Sequence, residues 1–309
     1  MKRFIIRTTL LILLPVSLAV ALCEYYLRRI PNDYSYKNEW LTNQASSVKI
    51  LCLGGSATFF GIEPELFSDN AFNAAHVSQS IKYCHFIFTK FIDSMDSLKV
   101  LILGVSYSSL VDFGPEKGIE DWRAKYYSIY YGCKYHRFEP RYNLEIYNGL
   151  QLENVANSIL GKANHRTCND LGRGITEKDQ SMHWEESGAI TAKRHTIANI
   201  DTVIWAKNKR MIEEMIDECS QKNAYVIILT SPTYHTYREN LNPEQLKRMV
   251  ECCKCYEKQH NNVYYLNLLA DDRFQPDEFY DANHLNEYGA LKLTRILQQT
   301  IDSLKLCER

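Results

Sequence analysis

A candidate nucleophile and a candidate acid and base pair lie far apart in the chain. An apolar run ends in Gly54-Gly55-Ser56, and near the C-terminus Asp281 precedes His284 by three residues. A serine hydroxyl is a weak nucleophile, so acyl transfer requires an imidazole within hydrogen-bond reach and a third group that orients the imidazole. These residue types predict acyl transfer, with Ser56 as nucleophile, His284 as base and Asp281 as the orienting carboxylate.

Each of these motifs is weak when it is taken alone. Gly-Gly-Ser after a strand is also typical of an ordinary turn, and Asp-x-x-His before a helix is also typical of a cap with a surface imidazole. Their joint placement favours a site, because Ser56 follows the first predicted strand and Asp281 follows the last. A parallel sheet brings the carboxyl ends of its strands to one edge, where ligands bind in open α/β sheets.

The apolar pattern predicts the elements that must position these residues. Residues 225–229 form a continuous apolar run, which is typical of a strand covered on both faces. Strands are expected at about 48–53, 70–74, 99–104, 224–230 and 263–268, with helices of apolar periodicity at 77–94, 200–222 and 286–306. We therefore predict an α/β protein with a three-layer α/β/α arrangement, a five-stranded parallel sheet and right-handed crossovers.

These motifs resemble the SGNH/GDSL hydrolase superfamily, and in particular its membrane-anchored bacterial branch. The resemblance runs from about residue 48 to the C-terminus and is interrupted by a long middle segment. It implies a flavodoxin-like SGNH fold, with Ser56 of the first block as nucleophile and Asp281 and His284 of the last block completing the triad. The first block reads Gly-Gly-Ser, whereas many members of the family have Gly-Asp-Ser.

The family also forms an oxyanion hole from the serine amide, a glycine amide of its second block and an asparagine side chain of its third. Residues 72–79 look like the second block, with Ser78 in place of the glycine, and residues 99–107 look like the third, with Ser106 in place of the asparagine. The resemblance therefore implies Ser56, Ser78 and Ser106 as the oxyanion positions. The amide survives the first replacement, but the hydroxyl of Ser106 is shorter. Loss of one oxyanion donor typically costs about 100 to 1,000-fold in turnover.

An export element precedes this domain. Lys2, Arg3 and Arg7 are followed by residues 8–22, which carry no charge and are rich in Leu, Val and Ala. A transmembrane helix needs about 20 apolar residues. That length is reached by counting back to Phe4.

The flanking residues favour an uncleaved anchor over a cleaved signal. Tyr25 and Tyr26 follow the apolar run where an interfacial aromatic belt would lie. We predict a single-pass helix in the bacterial inner membrane, with a short cytoplasmic N-terminus and a periplasmic or extracellular domain. Arg28 and Arg29 argue against this orientation, and Ala-Val-Ala at 19–21 is also consistent with a cleavage site.

Composition is consistent with one folded domain behind the anchor. The chain has 309 residues, of which 45% are hydrophobic and 24% charged. We expect an anchor at 1–30 and an SGNH-like domain at 31–309, with an insertion at about 107–199. The net charge is −1 and no basic stripe is present, which argues against nucleic acid as a partner.

The expected insertion is rich in aromatic and basic residues. A connection of this length usually has a function or helices of its own, and we expect helices at 119–131 and 142–160. One interpretation is that the aromatic side chains pack the insertion onto the sheet. The alternative is an aromatic and basic wall over the site, suited to stacking sugar rings. The aromatic residues concerned are Trp122, Tyr126, Tyr127, Tyr130, Tyr131, Tyr135 and Trp184.

The loop after the fourth predicted strand lies on the same expected edge as Ser56. Such loops line the ligand crevice of open α/β sheets, so Tyr234 and His235 are candidate substrate-binding residues. The alternative is an ordinary turn fixed by Pro232. His235 is a weaker base candidate than His284, because no aspartate stands at comparable spacing.

The ten cysteines do not form a metal-binding pattern. Zinc sites usually combine paired ligands from two segments, whereas Cys252, Cys253 and Cys255 crowd one predicted helical turn. Cys133 and Cys168, both in the insertion, are the pair suspected of forming a disulfide. No metal or organic cofactor is expected.

Together these observations predict a serine-dependent esterase or O-acyltransferase that acts on ester-linked acyl groups. Acetyl groups of cell-envelope or exported glycans are the expected substrates, because the domain is expected beside a membrane. The alternative from another class is a non-catalytic SGNH-like scaffold that binds glycan in an envelope assembly, which the replacements at residues 78 and 106 favour. An esterase directed at lipids ranks last, because the insertion is polar.

Overall fold

The chain forms two compact units in the computed structural model. The structure describes residues 1–112, 114, 120–134, 138–149, 151–176 and 184–307, without the side chains of residues 2–6, 8, 10 and 148. The N-terminal unit comprises Met1–Asn38 and Asp121–Arg166, and the sheet unit comprises Glu39–Glu120 and Thr167–Arg309. Part of the expected insertion therefore groups with the N-terminal helix, and the rest groups with the sheet.

A five-stranded parallel sheet forms the centre of the sheet unit. The strand order is β2-β1-β3-β4-β5, and each neighbouring pair is parallel. The predicted α/β fold with a five-stranded parallel sheet is thus confirmed. The strands are β1 Ile50–Leu53, β2 Ala71–Asn73, β3 Val100–Gly104, β4 Tyr225–Thr230 and β5 Val263–Asn267.

Both faces of the central strands are buried, which explains their continuous apolar sequences. Successive side chains of a strand point to opposite faces, yet all four residues of β1 and all five of β3 are buried. Parallel sheets show such runs because helices cover both of their faces. One face packs against the apolar stripe of the last helix, with Ile50, Ile102 and Ile227 in one cluster with Leu293 and Leu297.

Three helices of the sheet unit begin at a residue whose side chain caps them. Asp201 accepts hydrogen bonds from the backbone N–H groups of Val203 and Ile204, at 2.8 and 3.2 Å. Asn242 and Asn286 cap two further helices in the same way. The helices are α3 Ser56–Gly61, α4 Ile81–Phe91, α8 Trp184–His195, α9 Thr202–Gln221, α10 His235–Arg238, α11 Pro243–Gln259 and α12 Glu287–Leu304.

Three of these helices match the predictions closely, and the others differ. The periodic segments 200–222 and 286–306 correspond to α9 and α12, and the helical turn predicted at cysteines 252, 253 and 255 lies in α11. The helix expected at 77–94 begins only at Ile81 and ends in a 3-10 turn at Ile92–Ser94. α8 and α10 were not predicted, because α8 lies in a polar segment and α10 has four residues.

The N-terminal unit consists of helices from two segments that are far apart in the sequence. α1 spans Lys2–Arg28 and α2 begins the next segment at Asp33, ending at Gln44 in the sheet unit. The other helices are α5 Ala124–Ile129, α6 Pro140–Asn143 and α7 Leu152–Ile159, with a 3-10 turn at Glu145–Asn148. The helix expected at 142–160 is therefore wrong as one element. The chain is extended at Leu144, and Gly149 has a φ of 111°, which only glycine adopts readily.

The last turns of α1 are integrated into the N-terminal unit. The carboxylate of Glu24 accepts hydrogen bonds from the backbone N–H groups of Glu145 and Ile146, both at 3.1 Å. Leu27 and Ile30 are buried against Val155 of α7. Residues after the apolar stretch thus fold as part of the domain and do not form a free tail.

Residues 11–22 of α1 are exposed and mostly apolar. Its window Leu11–Arg28 has a mean hydropathy of 1.6 and is 6% buried, so this helix is long and apolar enough to cross a membrane. A signal sequence near an N-terminus would have the same properties. The predicted apolar helix is therefore present, and its role as an uncleaved anchor stays a prediction.

Most aromatic side chains of the expected insertion pack within the N-terminal unit. Tyr34 contacts the rings of Tyr126 and Tyr127, with centroids 4.9 and 5.1 Å apart. Tyr130 and Tyr131 continue these stacks. These rings therefore pack against one another and against Tyr34 within this unit. Tyr135 lies outside the described residues.

None of the ten cysteines, all of which the structure describes, takes part in a disulfide, so Cys133 and Cys168 are not bonded to each other. The suspicion of that disulfide was wrong. Seven of the ten are buried, which agrees with the interpretation of Cys52 and Cys84 as small apolar residues.

Candidate active site

A sharp turn between β1 and α3 presents Ser56. Gly54 has a φ of +155°, and a Cβ at this position would lie 2.2 Å from Oγ1 of Thr58 and 3.2 Å from Cα of Gly104. Only glycine fits such a close approach. Ser56 begins α3 immediately after this turn, and its side chain is half-buried.

The acid and base pair lies on a short antiparallel hairpin just before α12. The hairpin strands are β6 Phe279–Asp281 and β7 His284–Leu285, with Asp281 paired to His284. Oδ1 of Asp281 accepts hydrogen bonds from the backbone N–H groups of Asn283 and His284, both at 2.9 Å. These bonds fix the carboxylate relative to the hairpin backbone.

The structure brings the three predicted catalytic residues into one hydrogen-bonded line. Nε2 of His284 lies 2.7 Å from Oγ of Ser56. On the other side of the ring, Nδ1 of His284 lies 2.7 Å from Oδ2 of Asp281 and 2.9 Å from its Oδ1. A carboxylate at Nδ1 favours the tautomer with a proton on Nδ1, which leaves the lone pair of Nε2 free to accept the serine proton.

Electrostatics keep Asp281 ionised. Burial raises the pKa of Asp281, but the nearby charge of His284, its ring hydrogen bond and the two backbone N–H groups together lower the pKa below its usual value. An anionic Asp281 stabilises the imidazolium that forms when His284 takes a proton.

A second histidine, His195 at the end of α8, lies near this pair. Burial, followed by the positive charges of Arg194 and His284, lowers the pKa of His195 to about 4. Its Nδ1 is 2.8 Å from the hydroxyl of Tyr237. His195 is therefore neutral at pH 7, and sequence reasoning missed it because α8 itself was not predicted.

Ser78 adopts the backbone conformation that explains the glycine expected there. Its φ is 55°, in the left-handed region that favours glycine. Its hydroxyl donates a hydrogen bond to the carboxylate of Glu120. A Cβ at Gly55 would lie 3.5 Å from the carbonyl oxygen of Gln79, so the loop that carries Ser78 runs beside the residue before Ser56. The role of the Ser78 amide in an oxyanion hole stays a prediction.

Ser106 is turned towards its own loop. Its Oγ lies 2.9 Å from Oγ of Ser109, and its backbone N–H donates to the same oxygen at 2.8 Å. Within the described part of the chain, the structure does not bring the Ser106 hydroxyl into hydrogen-bond contact with Ser56 or His284.

Tyr234 and His235 lie next to the hairpin that carries Asp281 and His284. The backbone N–H of Tyr234 donates to the carbonyl of Ala282 at 2.9 Å, and its hydroxyl donates to Glu185 at 2.9 Å. Nε2 of His235 lies 3.6 Å from the same carboxylate. Trp184 packs beside Tyr234, with ring centroids 5.9 Å apart. The role of Tyr234 and His235 in substrate binding stays a prediction.

Residues 167–176 contact α3 and the segment that follows it, all within the sheet unit. The backbone N–H of Gly174 donates to the carbonyl of Phe59 at 2.9 Å. Nε of Arg173 forms an ion pair of 2.5 Å with Glu63, and both side chains are about nine-tenths buried. Sequence reasoning missed this pair, because nothing in the spacing links two charged residues so far apart.

Two other residues that the sequence did not single out contact His284. The ring of Phe60 meets the imidazole edge to face, with centroids 5.6 Å apart. Nδ2 of Asn283 lies 3.1 Å from Nε2 of His284. Spacing could have found both, since Phe60 stands four residues after Ser56 on α3 and Asn283 stands inside the Asp-x-x-His motif.

This arrangement has the parts that nucleophilic acyl transfer requires. The hydroxyl, imidazole and carboxylate are in hydrogen-bond order at the carboxyl end of β1, where the ligand crevice of an open α/β sheet lies. The fold and the site define the class of the protein as an α/β protein with a Ser-His-Asp triad. In its fold and in the chain order of its triad it resembles the SGNH/GDSL hydrolases.

No known protein-family profile matches the chain, and no curated protein matches it. Three solved structures are similar to it: a proposed acylhydrolase from Bacteroides fragilis, a GDSL-like lipase from Bacteroides thetaiotaomicron and a proposed platelet activating factor from Streptococcus pneumoniae. Each is 10% identical, and the TM-scores are 0.43, 0.42 and 0.43 in that order. The alignments cover 86%, 88% and 92% of this chain and 95%, 100% and 99% of the other chains.

Proposed function

We propose that this protein is a serine-dependent esterase or O-acyltransferase. The observation that carries the proposal is the distance of 2.7 Å between Oγ of Ser56 and Nε2 of His284, with Asp281 on the opposite ring nitrogen. A half-buried serine could make such a contact by chance. A serine whose histidine is held by an ionised carboxylate at 2.7 Å is placed as an activated nucleophile needs to be.

The proposed reaction proceeds in two halves. Ser56 attacks the acyl carbonyl while His284 takes the serine proton, and the proton then passes to the leaving alcohol as the ester bond breaks. The amides of Ser56 and Ser78 would hold the oxyanion. In the second half, water as the acceptor yields free acid, whereas a sugar hydroxyl as the acceptor yields a transferred acyl group.

The proposed substrates are acylated glycans of the cell envelope or exported glycans, with acetyl as the acyl group. The exposed apolar helix supports a location beside a membrane, with the sheet unit on the periplasmic or extracellular side. Trp184 and Tyr234 beside the catalytic hairpin offer aromatic rings, and Glu185 and His235 offer hydrogen-bonding groups. Such a combination of rings and polar groups suits a sugar.

Covalent labelling tests the nucleophile directly. The full-length protein in detergent is treated with a fluorophosphonate probe, alongside the variants S56A and H284A. We expect labelling of the wild type and its loss in both variants. S303A is the matched control, because Ser303 is exposed and its hydroxyl donates to the carbonyl of Thr300 in its own helix α12. Absence of labelling in a folded wild type would contradict the proposal.

The second candidate is a non-catalytic scaffold that binds glycan. It is favoured by one observation, the hydrogen bond that joins the Ser106 hydroxyl, expected at the third oxyanion position, to Ser109 of its own loop. The scaffold predicts binding of acetylated glycan without acetate release. Acetate release from acetylated xylan by the wild type, and not by S56A, separates the two functions.

A further inference from the structure

The side chain of Asn283 occupies a place in the site that the proposed mechanism does not use. Its Nδ2 lies 3.1 Å from Nε2 of His284, the same nitrogen that lies 2.7 Å from Oγ of Ser56. Within the described part of the chain, Nδ2 of Asn283 and Oγ of Ser56 are the two atoms in hydrogen-bond contact with Nε2. The side-chain amide of Asn283 therefore lies beside Nε2 of His284, the atom that takes up and releases each proton in the proposed reaction.

The hairpin holds Asn283 independently of its side chain. Ala282 and Asn283 form the two-residue connection between Asp281 and His284. The backbone N–H of Asn283 donates to Oδ1 of Asp281 at 2.9 Å. The carbonyl of Ala282 accepts from Tyr234. The backbone of residue 283 is thus held by bonds that a substitution of its side chain would leave intact.

Proton transfer brings an oxygen atom to within reach of this amide. The leaving alcohol must approach Nε2 of His284 to about 3 Å in order to take its proton, and the attacking water or hydroxyl must do so in order to give one. Nδ2 of Asn283 is 3.1 Å from Nε2, so an oxygen that approaches Nε2 on the side of Asn283 lies within hydrogen-bond distance of the amide. This oxygen differs from the carbonyl oxygen assigned to the amides of Ser56 and Ser78.

We propose that Asn283 is a catalytic residue that binds the alcohol or water oxygen at the moment of proton transfer. The inference rests on the proposed function. In acylation the bond between Oγ of Ser56 and the acyl carbon forms, the ester C–O bond breaks, and the leaving oxygen takes the proton from Nε2 of His284 while Asn283 donates to it. In deacylation the oxygen of water or of an acceptor hydroxyl loses its proton to Nε2, bonds to the acyl carbon and releases Ser56, which regains that proton.

The prediction rests on the difference between leaving groups that need a proton in order to depart and those that do not. p-Nitrophenolate leaves without a proton, whereas the alkoxide of an alkyl ester needs one. N283L removes the amide at similar volume and keeps the backbone N–H. We expect N283L to form the acyl-enzyme from p-nitrophenyl acetate at a rate within about twofold of the wild type. Hydrolysis of ethyl acetate and deacylation should each fall by about tenfold to 100-fold.

The experiment compares wild type, N283L, N283A and N261A as full-length proteins in detergent. Asn261 is exposed in the turn after α11 and serves as the matched control. Rates of the p-nitrophenol burst, of steady-state turnover and of ethyl acetate hydrolysis are measured, and fluorophosphonate labelling is run on the same samples. Equal losses in the rate of the p-nitrophenol burst and in ethyl acetate hydrolysis, or no loss in either, would overturn the assignment of Asn283. A wild type that neither labels nor shows a burst would overturn the proposed function, and this inference with it.

Discussion

Replacing Asp281 with asparagine should disable the site by reversing the tautomer of His284. Oδ1 of Asp281 accepts two backbone N–H groups of the hairpin, and Oδ2 lies 2.7 Å from Nδ1 of His284. In D281N the amide oxygen must remain at the Oδ1 position, because only an oxygen can accept those two bonds. The amide NH₂ therefore faces Nδ1 and donates to it.

The consequence is quantitative. With Nδ1 of His284 accepting a hydrogen bond, the ring proton moves to Nε2, and Nε2 cannot take the proton of Ser56. Such a wrong tautomer lowers turnover by about 10,000-fold in the well-known serine protease case. At about 1.4 kcal/mol per tenfold, this loss is about 5.5 kcal/mol of transition-state stabilisation.

The assay measures turnover of p-nitrophenyl acetate and the rate of fluorophosphonate labelling from pH 6 to pH 9. D272N is the control, because Asp272 is exposed and the change in charge is the same. We expect D272N to match the wild type and the thermal unfolding of both variants to stay two-state. If D281N keeps more than about a tenth of wild-type turnover, Asp281 does not set the tautomer and the reasoning fails.

Three predictions concern stability, each measured by urea unfolding of the full chain. E63A should cost about 3–5 kcal/mol because it leaves a buried guanidinium unpaired, and adding R173M should recover most of the loss; simple additivity of the two changes would contradict this. G104A should cost about 1–3 kcal/mol by crowding, since its Cβ would lie 1.9 Å from Oγ1 of Thr58; an unchanged midpoint would count against the packing described. Because the pKa of His195 is lowered to about 4, the unfolded chain binds that proton more readily, and stability should fall as the pH drops from 6.5 towards 4. H195Q should lose on the order of 3 kcal/mol less over that range; equal losses would refute the effect.

The parts that the sequence predicted well are those that depend on one dominant force. The strands were found because burial on both faces requires apolar runs, and β1 and β3 are buried at every position. The triad was predicted because Ser56 follows the first predicted strand and Asp281 follows the last. A parallel sheet brings the carboxyl ends of its strands to one edge, so the two residues were expected to lie close together. Ser56, His284 and Asp281 are joined in the structure, while their catalysis stays to be tested.

The rest depended on interactions that no local pattern records. The expected helix at 142–160 breaks at Gly149 because its segments pack separately within the N-terminal unit. The left-handed backbone of Ser78 is visible in the sequence only by comparison with a glycine. Asn283 was overlooked because the residues inside a short motif were counted as spacers, although the tight hairpin brings the second of them to the reacting nitrogen.

The burial of the cysteine thiols determines when this chain can be damaged by oxidants. Burial raises the pKa of Cys84 to about 12, and burial, with Asp69, does the same for Cys307. At pH 7 such a thiol is ionised in about one molecule in 100,000, against about 3% for an unhindered cysteine, and only the thiolate attacks a disulfide or peroxide. With ten thiols, folding of a chain exported as proposed would therefore compete in time with disulfide formation. Once folded, the exposed Cys255 is the thiol that an oxidising compartment reaches first.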